Sequence, residues 1–181
     1  MEKVAEILRH KRHDYLNHLQ VILGYLQLNK LDKVKDYIIE TSGKLVEEGQ
    51  LFQKLNDEIA LSVIEFQRLL YIKGCEVKVV VSASLPERFD SAEGITAFLE
   101  EFATSCQIPV GVPCELLLEF QLGPDQNSLV LTFSSSSYPE LVQQAMTLLT
   151  DKDLRPLAEK ENTNFAHAFE NGVLKMFFPM K

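Results

Sequence analysis

Apolar residues recur every three or four positions through the first 28 residues: Val4, Ile7, Leu8, Tyr15, Leu19, Ile22, Leu23 and Leu26. This is the helical period, and it lays one apolar stripe along an amphipathic helix over residues 2–28. The segment "LNKLD" at 28–32 breaks it. Asn29 suits a left-handed C-cap, and Asp32 suits the N-cap of the next helix. That helix is predicted from Lys33 to Leu55, with Val34, Tyr37, Ile38, Leu45, Leu51, Phe52 and Leu55 as its apolar set and Gly43 and Gly49 weakening it locally. Two long amphipathic helices joined by a short turn make an antiparallel hairpin. One hairpin cannot bury its stripe alone. Two related by a two-fold axis make a four-helix bundle, so the pattern predicts a homodimer.

Downstream, "EIALSVIEFQRLLYI" (58–72) reads as a third helix closed by Gly74. The character then changes. "CEVKVVVSA" (75–83) is β-branched and strand-like, and "GITAFLEEFATSC" (94–106) is an amphipathic helix. "CELLLEFQLG" and "NSLVLTFS" flank the turn sequence "GPDQ" and read as an antiparallel strand pair. "PELVQQAMTLLT" (139–150) is a helix opened by Pro. "NFAHAFENGVLKMFFP" holds two strands about Asn171-Gly172, a strong two-residue hairpin signal. The expected fold class is α+β. Residues 1–55 form the helical hairpin, and residues 56–181 form an α/β sandwich of antiparallel or mixed sheet with helices on one face.

Composition narrows this picture. The chain has 181 residues, room for one ordinary domain or two small ones. No apolar run approaches the roughly 18–20 residues of a membrane span, and the N-terminus alternates charge with apolar residues, unlike a signal peptide. Cys75, Cys106 and Cys114 form no metal-type spacing, so reduced, buried thiols in a cytoplasmic protein are expected. The net charge of −8 argues against nucleic acid as a main partner. Charge is uneven, however. Residues 1–35 carry +3, which leaves −11 for the remainder. The basic region could attract an acidic protein surface.

That region contains "RHKRHDYLNHLQ" (9–20), with three His in twelve positions. On a helical wheel His13 lies about 150° from the stripe centre and points to solvent. Asn17, at i+4, is its neighbour, and Asp14 follows it directly. An exposed imidazole is a capable nucleophile and can carry a phosphoryl group on a ring nitrogen. A nearby carboxylate can fix its tautomer. His10 is the rival acceptor but has Lys11 and Arg12 beside it rather than a carboxylate. His10, His13 and His18 share no face at i, i+4 spacing, so no metal site is expected.

The stretch "LRHKRHDYLNHLQVILGYLQLNKLDKVKDYI" resembles the hairpin of the sporulation initiation phosphotransferase B family and, more distantly, the phosphoacceptor boxes of citrate/malate-type sensor histidine kinases. Arg12, His13, Asp14, Asn17, Leu19 and Gln20 carry the match, which is specific over residues 8–40. The resemblance implies that His13 is phosphorylated, with Asp14 and Asn17 as helpers. It also implies a dimeric hairpin followed by a degenerate kinase ATP-binding-like domain. A kinase needs an Asn-bearing helix for Mg²⁺ and glycine-rich loops at the phosphates. Where the kinase pattern has L-E-N-A, this chain has Leu99-Glu100-Glu101-Phe102. In place of D-x-G-x-G it has "SSSSYPE".

The expectation is therefore a phosphorelay phosphotransferase that moves a phosphoryl group between response-regulator aspartates through His13. No cofactor is expected to bind tightly, and Mg²⁺ is expected on the regulator. Lys11 and Arg12 would offset phosphoryl charge. Arg9, Arg12, Gln20 and Leu28 would form the regulator-docking face. The resemblance points to a sporulating Gram-positive bacterium and its two sporulation regulators. A sensor kinase core with an unusual nucleotide site and a non-catalytic dimeric adaptor are the alternatives.

Overall fold

The structure, a computed structural model, describes residues 2–82, 92–124, 128–150 and 166–179. It divides into two compact units, residues 1–50 and 51–181. Helix α1 runs Glu2–Gln27 and α2 runs Leu31–Lys54. Asn29 ends α1 at φ 54°, the left-handed conformation expected of it. Asp32 lies inside the first turn of α2 rather than capping it. There its carboxylate still complements the positive end of the helix dipole.

The second unit begins with the end of α2, whose Leu51 joins the core with Leu55. Helix α3 (Asp57–Ile72) starts where Asn56 accepts a hydrogen bond from the Ile59 amide. Strand β1 (Cys75–Val81), helix α4 (Ala92–Ser105), strands β2 (Cys114–Leu122) and β3 (Ser128–Ser134), helix α5 (Pro139–Thr150), and strands β4 (Ala166–Glu170) and β5 (Val173–Pro179) follow. The sheet order is β1-β2-β3-β5-β4, with β1 and β2 parallel and the other pairs antiparallel. The sheet is thus mixed. Asn171 and Gly172 turn the β4–β5 hairpin at φ 53° and 77°, the positive values an Asn-Gly turn supplies. The turn expected at 125–126 and the strand start expected at 164–165 lie outside the described residues.

Alternation fills one face of the sheet. Val79, Leu118, Phe133, Leu174 and Phe169 form one row across all five strands. The opposite face carries Glu76, Lys78, Glu115 and Lys175, which are exposed. Against the filled face, Phe98 and Phe102 of α4 stack at 6.0 Å, and both meet Phe133 edge-on at 5.3 and 5.8 Å. Phe66 of α3 closes the cluster, 6.1 Å from Phe133.

All three cysteines are buried free thiols. Cys75 and Cys114 are register partners on β1 and β2. Burial pushes all three thiols up, and neighbouring Cys114 adds to the rise at Cys75. These are packing residues rather than nucleophiles. Strand β1 is an edge strand, and side chains cover it. Gln67 donates to the Val77 carbonyl and Lys54 to the Val81 carbonyl, which blunts pairing with another chain.

Candidate functional site

Three segments of α1 side chain decide what this helix can do. Lys11 and His18 are partly buried against α2. Leu8, Tyr15, Leu19 and Leu26 are exposed at 63%, 48%, 62% and 43%. His13, Asp14 and Asn17 form the third group, and all three are exposed. The single apolar stripe read from the sequence is therefore two surfaces. One is the seam with α2, to which Ile22, Tyr25, Val34 and Tyr37 contribute half-buried side chains. The other is left uncovered among the described residues of the hairpin. Helix α2 repeats this arrangement, with Leu31, Ile38, Leu45 and Phe52 exposed at seven-residue intervals.

His13 and Asn17 meet as their i, i+4 spacing requires. Asn17 Nδ2 lies 3.0 Å from His13 Nδ1. Asp14 Oδ1 lies 3.9 Å from the same nitrogen. As placed, the amide donates to Nδ1, and the ring's own proton sits on Nε2. A half-turn of the amide brings Oδ1 to that position, and it then accepts from Nδ1–H. The carboxylate of Asp14 favours this second arrangement because it too stabilises a proton on Nδ1. It leaves Nε2 with a free lone pair on a side chain that is 73% exposed. Asn17 and Asp14 thus both lie against one ring nitrogen.

The remaining residues singled out from the sequence surround this pair unequally. Arg9, Arg12 and Gln20 are exposed along α1, Leu28 is exposed in the turn just after it, and His10 is half-buried. Lys11 does not stand ready for a phosphoryl group. Its ammonium lies 2.6 Å from both carboxylate oxygens of Glu48 on α2. Tyr37 is a residue the sequence reading missed in this context: its hydroxyl lies 2.7 Å from His18 Nδ1. No local spacing could reveal that pair, because it depends on the register of α1 against α2.

In the second unit, Glu101 of α4 is exposed and Phe102 is fully buried in the aromatic cluster. The serine-rich segment after β3 is occupied with the backbone of β2. Ser135 Oγ donates to the Glu115 carbonyl at 2.6 Å, and Ser137 Oγ accepts from the Glu115 amide at 2.7 Å. Among the described residues no group of three or more His, Cys, Asp or Glu is arranged to hold a metal ion, and no helix is long and apolar enough to cross a membrane.

Residues 1–54 match the family described as the alpha-helical domain of SpoOB-type sensor kinases. The sensor histidine kinase DcuS of Escherichia coli K12 is 38% identical over 56 residues, 30% of this chain and 10% of the relative. DcuS of Shigella flexneri matches to the same extent. The chain spans about a tenth of the length of these curated relatives. Among solved structures, Acinetobacter baumannii histidine kinase AdeS covers 93% of this chain, over 98% of its own, at 10% identity and TM-score 0.41. The cytoplasmic segment of histidine kinase QseC covers 86%, over 94% of its own, at 13% identity and TM-score 0.40. Likenesses this distant bear on no individual residue. The sequence match is confined to the hairpin: residues 1–54 are similar to the alpha-helical domain of SpoOB-type sensor kinases, and the curated relatives that match there are sensor histidine kinases.

Proposed function

We propose that this chain is a phosphorelay phosphotransferase. It accepts a phosphoryl group from the phospho-aspartate of one response regulator onto His13 and passes it to the aspartate of another. The observation that carries the reading is the His13–Asn17 contact on an exposed face of a SpoOB-type helix. The Nε2 lone pair attacks phosphorus in line. The bond from phosphorus to the donor's carboxylate oxygen breaks, and the carboxylate leaves with the electron pair. The ring proton stays on Nδ1, held by Asn17 and Asp14 against the positive charge the ring acquires. The second transfer reverses these steps onto the acceptor's carboxylate. Mg²⁺ belongs to the regulator's acidic pocket. Arg9 and Arg12 steer that pocket, and Gln20 and Leu28 extend the docking face.

Exposed apolar stripes on both helices support the rest of this assembly. Leu8, Tyr15, Leu19 and Leu26 on α1 and Leu31, Ile38, Leu45 and Phe52 on α2 suit a second copy, packed as a four-helix bundle in a homodimer. The second unit is read as a degenerate ATP-binding-like domain. An acid stands where Mg²⁺ would need Asn, and Ser135 and Ser137 close a loop that glycines would keep open. A cytoplasmic location follows from the regulators it serves.

The test uses the purified chain with a response regulator charged by acetyl phosphate and Mg²⁺, and separately with ATP and Mg²⁺. Acid-labile, base-stable phosphate on the chain is followed by intact mass. Label from the regulator alone is expected. Label from ATP would instead make the chain a kinase core, the reading favoured by the DcuS match. No label from either source would leave an adaptor.

Asn17→Ala is expected to slow transfer about 10- to 100-fold without abolishing it, because it removes orientation and leaves the nucleophile. Single-turnover transfer rates measure this. An unchanged rate would remove Asn17 from the site.

A further inference from the structure

The Lys11–Glu48 and His18–Tyr37 contacts join α1 to α2, and they bracket the candidate site. Lys11 Nζ lies 2.6 Å from both oxygens of Glu48, with the side chains 25% and 33% exposed. His18 Nδ1 lies 2.7 Å from the Tyr37 hydroxyl, the two rings are 5.8 Å apart, and Tyr25 meets Tyr37 edge-on at 6.2 Å. Lys11 and His18 are about two helical turns apart, so they share one face of α1. Tyr37 and Glu48 are about three turns apart and share one face of α2. His13, Asp14 and Asn17 all fall between the two anchored positions of α1.

We infer that Glu48 and Tyr37 are positioning residues: through Lys11 and His18 they lock the rotation and register of α1, and so fix the direction in which His13 points. This rests on the phosphotransfer reading for its consequence, though not for its geometry. His13 is two residues beyond Lys11, about 200° around the helix. Its 73%-exposed side chain has no neighbour on α2 to hold it, so its heading is set from the opposite face of α1. Apolar side chains tolerate sliding and rotation. A carboxylate accepting through both oxygens from one ammonium, and a ring nitrogen paired with a hydroxyl, do not. Setting register is the best-attested role of partly buried polar contacts between helices. One residue of rotation, about 100°, would carry Lys11 from Glu48 and His18 from Tyr37 together. The sequence places these two polar residues where an apolar seam would otherwise continue, beside the two turns that carry the nucleophile.

The test compares the wild type with Tyr37→Phe/Glu48→Gln, and with Tyr37→Phe alone should the double variant not fold. Two phosphoryl donors are used: the charged response regulator, which must dock, and phosphoramidate, a small donor that need not. Transfer from the regulator is expected to fall about 10-fold, with labelling by phosphoramidate changed less than about twofold. Equal losses with both donors would overturn the proposal, since the residues would then serve the helix as a whole. No loss with either would overturn it too. A second readout is independent of phosphotransfer. Ile22→Cys/Val34→Cys and Val21→Cys/Val34→Cys pairs report the seam by oxidative cross-linking. The locked hairpin is expected to link only the first pair, and the variant both. If the wild type takes no phosphoryl group from any regulator, the phosphotransfer reading fails, and the cross-linking pattern alone decides the lock: spread supports it, and an unchanged pattern overturns it.

Discussion

Replacing His13 with Ala is expected to remove all acid-labile phosphate from the chain, a loss of at least about 10³-fold in transfer. The size follows from the chemistry. If the reaction passes through a covalent phosphohistidine, no neighbour can substitute for the missing ring. Asp14 would form an acyl phosphate of different stability, base-labile where a phosphohistidine is base-stable. Asn17 and the arginines offer no suitable nucleophile. His10 is the rival acceptor, followed in sequence by Lys11 and Arg12 where His13 is followed by Asp14. His10→Ala is accordingly expected to keep the label. The fold should not notice the change at His13. Its side chain is 73% exposed, and Ala is the better helix former by about 0.5 kcal/mol. Circular dichroism with an undiminished thermal midpoint checks this, so lost label cannot be charged to lost structure. Retained label in His13→Ala would sink the assignment and move the acceptor elsewhere.

The parts of this site that the sequence made legible are those set within one helix. The i, i+4 geometry of His13 and Asn17 and the solvent-facing heading of His13 need only the helical period. The left-handed Asn29 and the Asn171-Gly172 turn are equally local, because their conformations favour very few residue types. What escaped was everything that depends on a second element. Lys11 read as a free cation for phosphate because a polar residue in a seam leaves no mark in an apolar pattern, yet Glu48 holds it. Tyr37 read as one more apolar position of α2, yet its hydroxyl meets His18. In the sheet, the strand-like pattern of apolar residues between turn signals marked β2, β3 and β5. It could not show that β5 pairs with β3 while β4 takes the edge, because side-chain period carries no information on strand order.

The largest effect on stability is expected at Phe133, in the core of the second unit. Phe133→Ala should cost about 3–5 kcal/mol, the range for emptying a fully buried aromatic site. A typical domain has only about 5–15 kcal/mol to lose. Phe133 is 0% exposed and sits centrally in its strand row, between Leu118 on β2 and Leu174 on β5. Three rings meet its edge or face at 5.3 to 6.1 Å: Phe98 and Phe102 from α4 and Phe66 from α3. Edge-to-face pairs contribute about 0.5–1.5 kcal/mol each beyond their buried area, so the truncation removes directional contacts as well as volume. A shift of α3 or α4 alone into the gap would disturb the Phe66–Phe102 contact between them, whose ring centroids lie 6.1 Å apart. Collapse around the cavity is therefore limited, and the cost should lie in the upper part of the range. Phe133→Leu, which keeps most of the volume, should cost clearly less. Urea unfolding followed by circular dichroism gives both values from the shift in midpoint at constant slope. If Phe133→Ala cost less than about 1 kcal/mol, as a surface substitution does, the ring cluster could not be what joins α3 and α4 to the sheet.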